Sequence, residues 1–355
     1  MDDTMPDIAT LRRRIMADLP ADAFRNVPSK ALLFIPLGAI VLGAVWIAGS
    51  RDLPWYGLLA LSVVLGQVYA TSAFLAHEVL HGSVVKSRAL ANFLGYFGLY
   101  PFLVSPHLWR VWHVRAHHGN TNSSRDPDVI VNLDEYRETF LARIWTRFIP
   151  CSRQRIAGTF FFLYWFTLHG QNILWFNRHY KHWNFSDYGF RRFRASMDTL
   201  GYLLFWGGIW YILGTYNSLF IILIPMMIGN AILLAFIATE HTCLPRFPVG
   251  ENHPLKNSVS ARVPALVDKL NLNFSNHVEH HLFPTMNYSK TPLVRQWLRN
   301  NMSPHYLEPS LATCFRVLFS SPRVYCENDC LCYPDDLDGS KMKADLLRVQ
   351  LSEIR

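Results

Sequence analysis

His113-Val114-Arg115-Ala116-His117-His118 is the stretch on which the reading of this chain turns, with His77-Glu78-Val79-Leu80-His81 before it and His277-Val278-Glu279-His280-His281 far after it. On a helix, residues three or four apart share a face, so each cluster presents two or three imidazoles along one stripe. That spacing is ligand geometry. Histidine makes up 15 of the 355 residues, too few for three such clusters to arise by chance. Neutral imidazole is the commonest metal ligand and suits iron, zinc, copper and nickel. A lone buried histidine is usually a hydrogen-bonded core residue, but eight in three clusters point to metal.

Composition bounds the architecture. Hydrophobic residues are 50% of the chain, aromatics 14% and charged residues 17%, the last below the roughly 25% usual in soluble chains. The apolar residues come in blocks, so the expectation is an all-α integral membrane protein. The first thirty residues are polar, with Arg12, Arg13 and Arg14 and no apolar core, so no cleavable signal peptide is expected. The net charge of +8 comes from basic residues interspersed beside apolar segments, which fits attraction to anionic lipid and argues against nucleic-acid binding. Cys326, Cys330 and Cys332 have a spacing that matches no strong zinc pattern, and their role stays open.

Residues 31–49 and 55–76 are apolar runs of about the twenty residues that cross a hydrocarbon core, and 200–214 and 219–239 form another such pair. Four transmembrane helices in two hairpins follow. Basic residues collect at Arg12 to Arg14 and Lys30 before the first span, and at Lys86, Arg88, Arg110 and Arg115 after the second. The positive-inside rule therefore places both termini and all three clusters in the cytoplasm. Two further apolar runs, 90–109 and 158–176, would strand the clusters on opposite faces if either crossed once. Both contain polar or helix-disturbing residues, so both are expected to be interfacial or re-entrant helices under a cytosolic helical cap. The expected division is a cytosolic segment 1–30, a membrane body 31–302 with the three clusters, and a cytosolic tail 303–355. The basic stretch with His179, Lys181, His182, Arg191, Arg192 and Arg194 reads as an ordinary cytosolic flank.

Rival chemistries fit less of the pattern. His77-Glu78-Val79-Leu80-His81 satisfies the H-E-x-x-H of zinc proteases, with the glutamate as base, but that reading leaves the other two clusters without a task. A carboxylate-bridged di-iron bundle needs a second E-x-x-H that is missing. A metal transporter would line a path with intramembrane polar residues, whereas these histidines gather at helix ends. Because four ligands close a structural zinc site, eight or nine imidazoles suit two metals with open positions. Metal-bound histidines usually pass their other N–H to an acceptor, and Glu78, Asp126, Asp128 and Glu279 are the candidates.

The order H-x-x-x-H, H-x-x-x-H-H, H-x-x-H-H resembles the histidine boxes of the membrane fatty acid desaturase and hydroxylase superfamily. The run from Asn276 through His277, His280 and His281 to Pro284 is especially similar to the third box of fatty acyl desaturases, and the resemblance covers residues 77–299. It implies two irons held by His77, His81, His113, His117, His118, His277, His280 and His281, with no catalytic group beyond the ligands. His241, just past the fourth span, matches an additional ligand in related desaturases. The implied reaction is dioxygen-dependent desaturation of a lipid-linked or thioester-linked acyl chain. Hydroxylation of a lipid, carotenoid or alkane is the alternative. Electrons are implied to come from a separate ferredoxin, rubredoxin or cytochrome b5 with its reductase, in an inner membrane or the endoplasmic reticulum. Front-end desaturases carry a His-Pro-Gly-Gly haem motif and a glutamine opening the third box; here His253-Pro254-Leu255-Lys256 and His277 stand instead, arguing against that subgroup.

Overall fold

The protein is described by a computed structural model covering residues 5–180, 183, 185–303 and 305–344; Lys181, His182 and the end of the tail from 345 lie outside the described residues. It is mostly helical. Among the described residues, three helical stretches are long and apolar enough to cross a membrane: Pro28–Ser50, Trp55–His81 and Arg192–Glu240, the last of 49 residues. Within Phe34–Ser50 only Val41, Ala44 and Ala48 are buried, so an almost wholly apolar helix turns most of its surface outward, as a lipid-facing helix does.

Trp55–His81 is the spine. At 1.5 Å per residue its 27 residues span about 40 Å, more than a hydrocarbon core of about 30 Å. Its last turns, with His77 and His81, have length to stand clear of one. The helix stops directly after His81 because the Gly82 N–H donates to Val79 O (3.1 Å) and the Ser83 N–H to Glu78 O (3.2 Å). This paired closure needs a left-handed residue, and Gly82 has φ +84°.

The 49-residue stretch is interrupted at Gly214, whose φ of 71° and ψ of 168° are not helical, and widens into a π turn at Leu219–Leu223. Ser62 Oγ donates to Phe220 O (2.6 Å) and Tyr69 OH to Ile221 O (3.0 Å), which satisfies carbonyls of that turn from inside the protein. Beyond it, Ile224–Glu240 packs against both Trp55–His81 and Arg155–Phe176.

The two doubtful apolar runs form different structures. Residues 90–109 break into Arg88–Leu99, a tight turn at Tyr100–Phe102 and Pro106–Trp109. Arg88–Leu99 crosses the spine so closely that a Cβ on Gly98 would lie 2.3 Å from both Ala76 Cβ and Ser72 O. Residues 158–176 lie within the single helix Arg155–Phe176, whose buried Thr167 exchanges hydrogen bonds of 3.1 Å with Asn230 of Ile224–Glu240.

The expectation of an all-helical chain needs one correction. Val324–Glu327, Cys330–Cys332 and Met342–Lys343 form a small antiparallel sheet. Short apolar runs, residues 324–326 and Cys330–Cys332, flank the polar turn Asn328-Asp329 there, a local hairpin signal. Its Tyr325 and Leu331 are buried. At the other end of the chain, helix Ile8–Asp18 docks Leu11 and Ile15 beside Val278 and Leu282. Its Arg12 Nε donates to Leu282 O at 2.7 Å, closing the end of the third cluster's helix.

Candidate metal centre

The three clusters and His241 converge. His77 and His81 come from the end of the spine, His277, His280 and His281 from the short helix His277–Leu282, and His241 directly follows Ile224–Glu240. His113 and His117 lie on a π-helix, Arg110–His117. With hydrogen bonds closing from i to i+5, residues four and five apart share a face, so both His117 and the following His118 turn to the same side as His113. An α-helix would have swung His118 away.

The nine rings divide into two groups. His77, His81, His113, His118 and His280 form one, and His117, His241, His277 and His281 the other, with ligand atoms in each group within 4.8 Å of one another. Neighbours in sequence part company: His117 joins one group and His118 the other. Within the first group, Nε2 atoms face each other at 3.1 Å (His77 and His113), 3.2 Å (His113 and His118) and 3.1 Å (His118 and His280). In the second, His277 Nε2 lies 2.6 Å from that of His241 and 3.1 Å from that of His281. The groups abut where His118 and His281 stack, ring centroids 4.2 Å apart.

The donor set fits metal. Burial, followed by mutual repulsion, pushes His113, His118, His277 and His281 far below the ordinary imidazole range. Burial likewise takes His241 down to about 3. These rings are neutral, each with one N–H and one lone pair. His117 Nδ1 lies 2.9 Å from Asp126 Oδ1 and His241 Nδ1 is 3.0 Å from Asn257 O, which keeps those protons on Nδ1 and leaves Nε2 bare. One ring proton apiece satisfies only some of these Nε2 contacts, and His81 Nε2 has no partner at all among the described residues. Ligands about 2.0 to 2.1 Å from one ion lie roughly 3 to 3.4 Å apart, close to the separations seen.

The acidic candidates are placed differently from one another. Asp126 is on His117; burial lowers that ring, but the charge and hydrogen bond of Asp126, with the charge of Asp128, outweigh it and hold His117 above the ordinary imidazole range. Asp128 Oδ2 is 3.5 Å from His117 Nδ1, and its Oδ1 accepts from Trp112 Nε1 (2.6 Å) and faces His169 Nε2 (3.1 Å). Glu78 Oε1 lies 3.3 Å from His77 Nδ1, while its Oε2 accepts from Ser83 Oγ and the Tyr288 N–H. Glu279 meets no imidazole among the described residues; it accepts from Ser260 Oγ and Tyr306 OH. Sequence reasoning missed Glu240, whose Oε2 lies 2.9 Å from His277 Nδ1, although its position beside His241 was a usable signal. The carbonyl of Asn257 had no local signal.

A largely apolar cavity adjoins both groups. It is lined by His77 and His113 of the first and by His117, His241 and His277 of the second, and its apolar wall includes Phe74, Phe161, Phe166, Leu233 and Phe274. Trp109 and Trp112 line it as well; Tyr69 does not. Leu318 and Tyr325 close part of the wall, so the segment after 303 contributes to the site.

A family model described as fatty acid desaturase matches residues 53–310. The chain is 32% identical over 107 residues to an sn-1 acyl-lipid omega-3 desaturase (ferredoxin) of Synechocystis sp., which covers 30% of this chain and 29% of that protein. It is 22% identical over 276 residues to a Delta(5) fatty acid desaturase of Caenorhabditis elegans, covering 70% and 60%. It is 24% identical over 279 residues to an acyl-lipid (9+3)-(E)-desaturase of Dimorphotheca sinuata, covering 70% of each. The matches thus span less than two thirds of the first two relatives.

Proposed function

Because the chain belongs to the fatty acid desaturase family, we propose that it introduces a carbon–carbon double bond into a fatty acyl chain at a two-iron centre. The observation that carries this is the apolar cavity walled by rings of both histidine groups. A hydrocarbon chain lying there has its carbons against both metal positions, away from water. His77, His81, His113, His118 and His280 would hold one iron, and His117, His241, His277 and His281 the other. The irons, when bound, supply dioxygen activation and electron exchange with a donor. Asp126 and the Asn257 carbonyl hold Nδ1 protons and so orient rings. Trp109 stacks on His113 (4.5 Å) and Phe274 stands edge-on to His77 (5.1 Å), packing the rings' outer faces with apolar surface. The engagement of Glu78 with Ser83 and Tyr288 leaves it poorly placed as the free base that the zinc-protease reading needs.

The same reading includes four spans. Gly214 and the π turn divide Arg192–Glu240 into two arms of about the length that crosses a bilayer, with both termini and all boxes cytoplasmic and 31–302 as the membrane body. A separate donor supplies the electrons; the name of the Synechocystis relative carries ferredoxin. Expression with a compatible donor and mass spectrometry of total fatty acids tests the reaction. New unsaturated species support it, hydroxylated chains favour the hydroxylase alternative, and unchanged lipids with a loaded centre oppose both. Cysteine tags near Lys86 and Lys256 should be labelled from the cytoplasm and one near Asn217 from the other side; opposite labelling of the first two defeats the topology.

A further inference from the structure

The cavity has one polar feature that hydrocarbon does not explain. His169, on Arg155–Phe176, lines it and is only 7% exposed. Its Nε2 faces Asp128 Oδ1 at 3.1 Å, and an ionised carboxylate only accepts. In the neutral ring the proton therefore sits on Nε2, and Nδ1 is a bare acceptor. No described residue pairs with that Nδ1. Trp165 stacks on the ring (5.4 Å) and Trp112 meets it edge-on (5.2 Å), so its flanks are covered by surfaces that offer Nδ1 no hydrogen bond. Other polar groups of the wall are engaged inside the protein: Asn122 Nδ2 donates to His241 O and Pro245 O, and Tyr325 OH to Leu244 O. Apart from rings placed at the metals, His169 offers the one unpaired buried side-chain acceptor among the cavity's described lining residues.

A buried acceptor left without a donor is a standing cost, removed by any ligand that supplies an O–H or N–H there. We propose that His169 Nδ1 reads a hydrogen-bond donor on the bound chain, so that the preferred substrate carries a hydroxyl at the depth of Arg155–Phe176. The proposal rests on the cavity being the acyl site, but it can be tested by binding alone. Asp128 and Trp112 act as positioning residues, because their contacts fix the tautomer and orientation of the ring.

The probes are octadecanoic acid and its positional hydroxy isomers, displacing a brominated acid that quenches tryptophan fluorescence in the purified protein. One isomer should bind roughly tenfold tighter than the plain acid, the scale of one hydrogen bond to an otherwise unpaired group. That preference should vanish in His169→Phe and persist in part in His169→Gln, whose amide oxygen still accepts. If no isomer exceeds the plain acid by more than about twofold, water alone satisfies His169 and the proposal is overturned. A preference that survives in His169→Phe overturns it equally. Tight binding of the plain acid with no hydroxyl preference leaves the desaturase reading intact, whereas displacement by neither class counts against the cavity as acyl site.

Discussion

Replacing Glu240 by glutamine should affect the metal-loaded and metal-free proteins in opposite directions. Glu240 is fully buried, its Oε2 lies 2.9 Å from His277 Nδ1, and neither oxygen has an aligned hydrogen bond among the described residues. Without metal, this carboxyl group must either stay ionised with its water gone or take up a proton to be buried, and either course costs stability. With a cation on His277 Nε2, the same carboxylate faces positive charge across the ring and holds the Nδ1 proton. Loss of such a partner lowers metal affinity about 10- to 100-fold, or about 1.4 to 2.7 kcal/mol. Glutamine keeps the shape and an acceptor oxygen and loses the charge, so Glu240→Gln belongs near the lower figure; Glu240→Ala loses both and belongs near the upper. The metal-free glutamine variant should melt higher than wild type, by about 2 °C or more for each kcal/mol relieved. Iron content against graded chelator gives the first quantity, and melting of the stripped protein in the same detergent gives the second. Wild-type iron retention in Glu240→Gln, or a stripped variant that melts lower than wild type, refutes the assignment of Glu240 to the second metal position.

Three further outcomes are expected. His241→Ala should lose one of two bound irons and keep the other, since the first group retains all five of its rings; loss of both, or of neither, measured by metal analysis, contradicts the division. Gly98→Ala should destabilise by about 1–3 kcal/mol through overpacking, because the new Cβ meets the Ser72 carbonyl as well as Ala76; an unchanged melting temperature shows that the crossing is looser than described. The metal-free protein should lose stability in acid. His241 falls from 6.5 to about 3 on folding through burial, so both states are neutral above about pH 7, and below about pH 6.5 the unfolded chain takes up a proton that the folded one refuses. Melting temperature should be level above that range and fall as pH drops toward 3, less steeply in His241→Gln; a flat acid limb means the rings are already charged when folded.

Sequence alone determined what depends on short-range pattern. Apolar run lengths mark the membrane helices, and i, i+4 spacing marks His77 with His81 and His277 with His281, because helical geometry brings such residues together without help from the rest of the chain. The strand pair around Asn328-Asp329 carries an equally local signal. Only tertiary structure decided that adjacent His117 and His118 serve different groups, since that depends on a π turn and on rings arriving from three other segments. It also paired Glu240 with His277 and the Asn257 carbonyl with His241, set Asp128 between His117 and His169, and brought Leu318 and Tyr325 to the cavity wall. Those contacts join residues whose local sequence is unremarkable. They exist because Trp55–His81, Arg155–Phe176 and Ile224–Glu240 pack together, and packing between distant helices leaves no periodic trace in the residues it brings into contact.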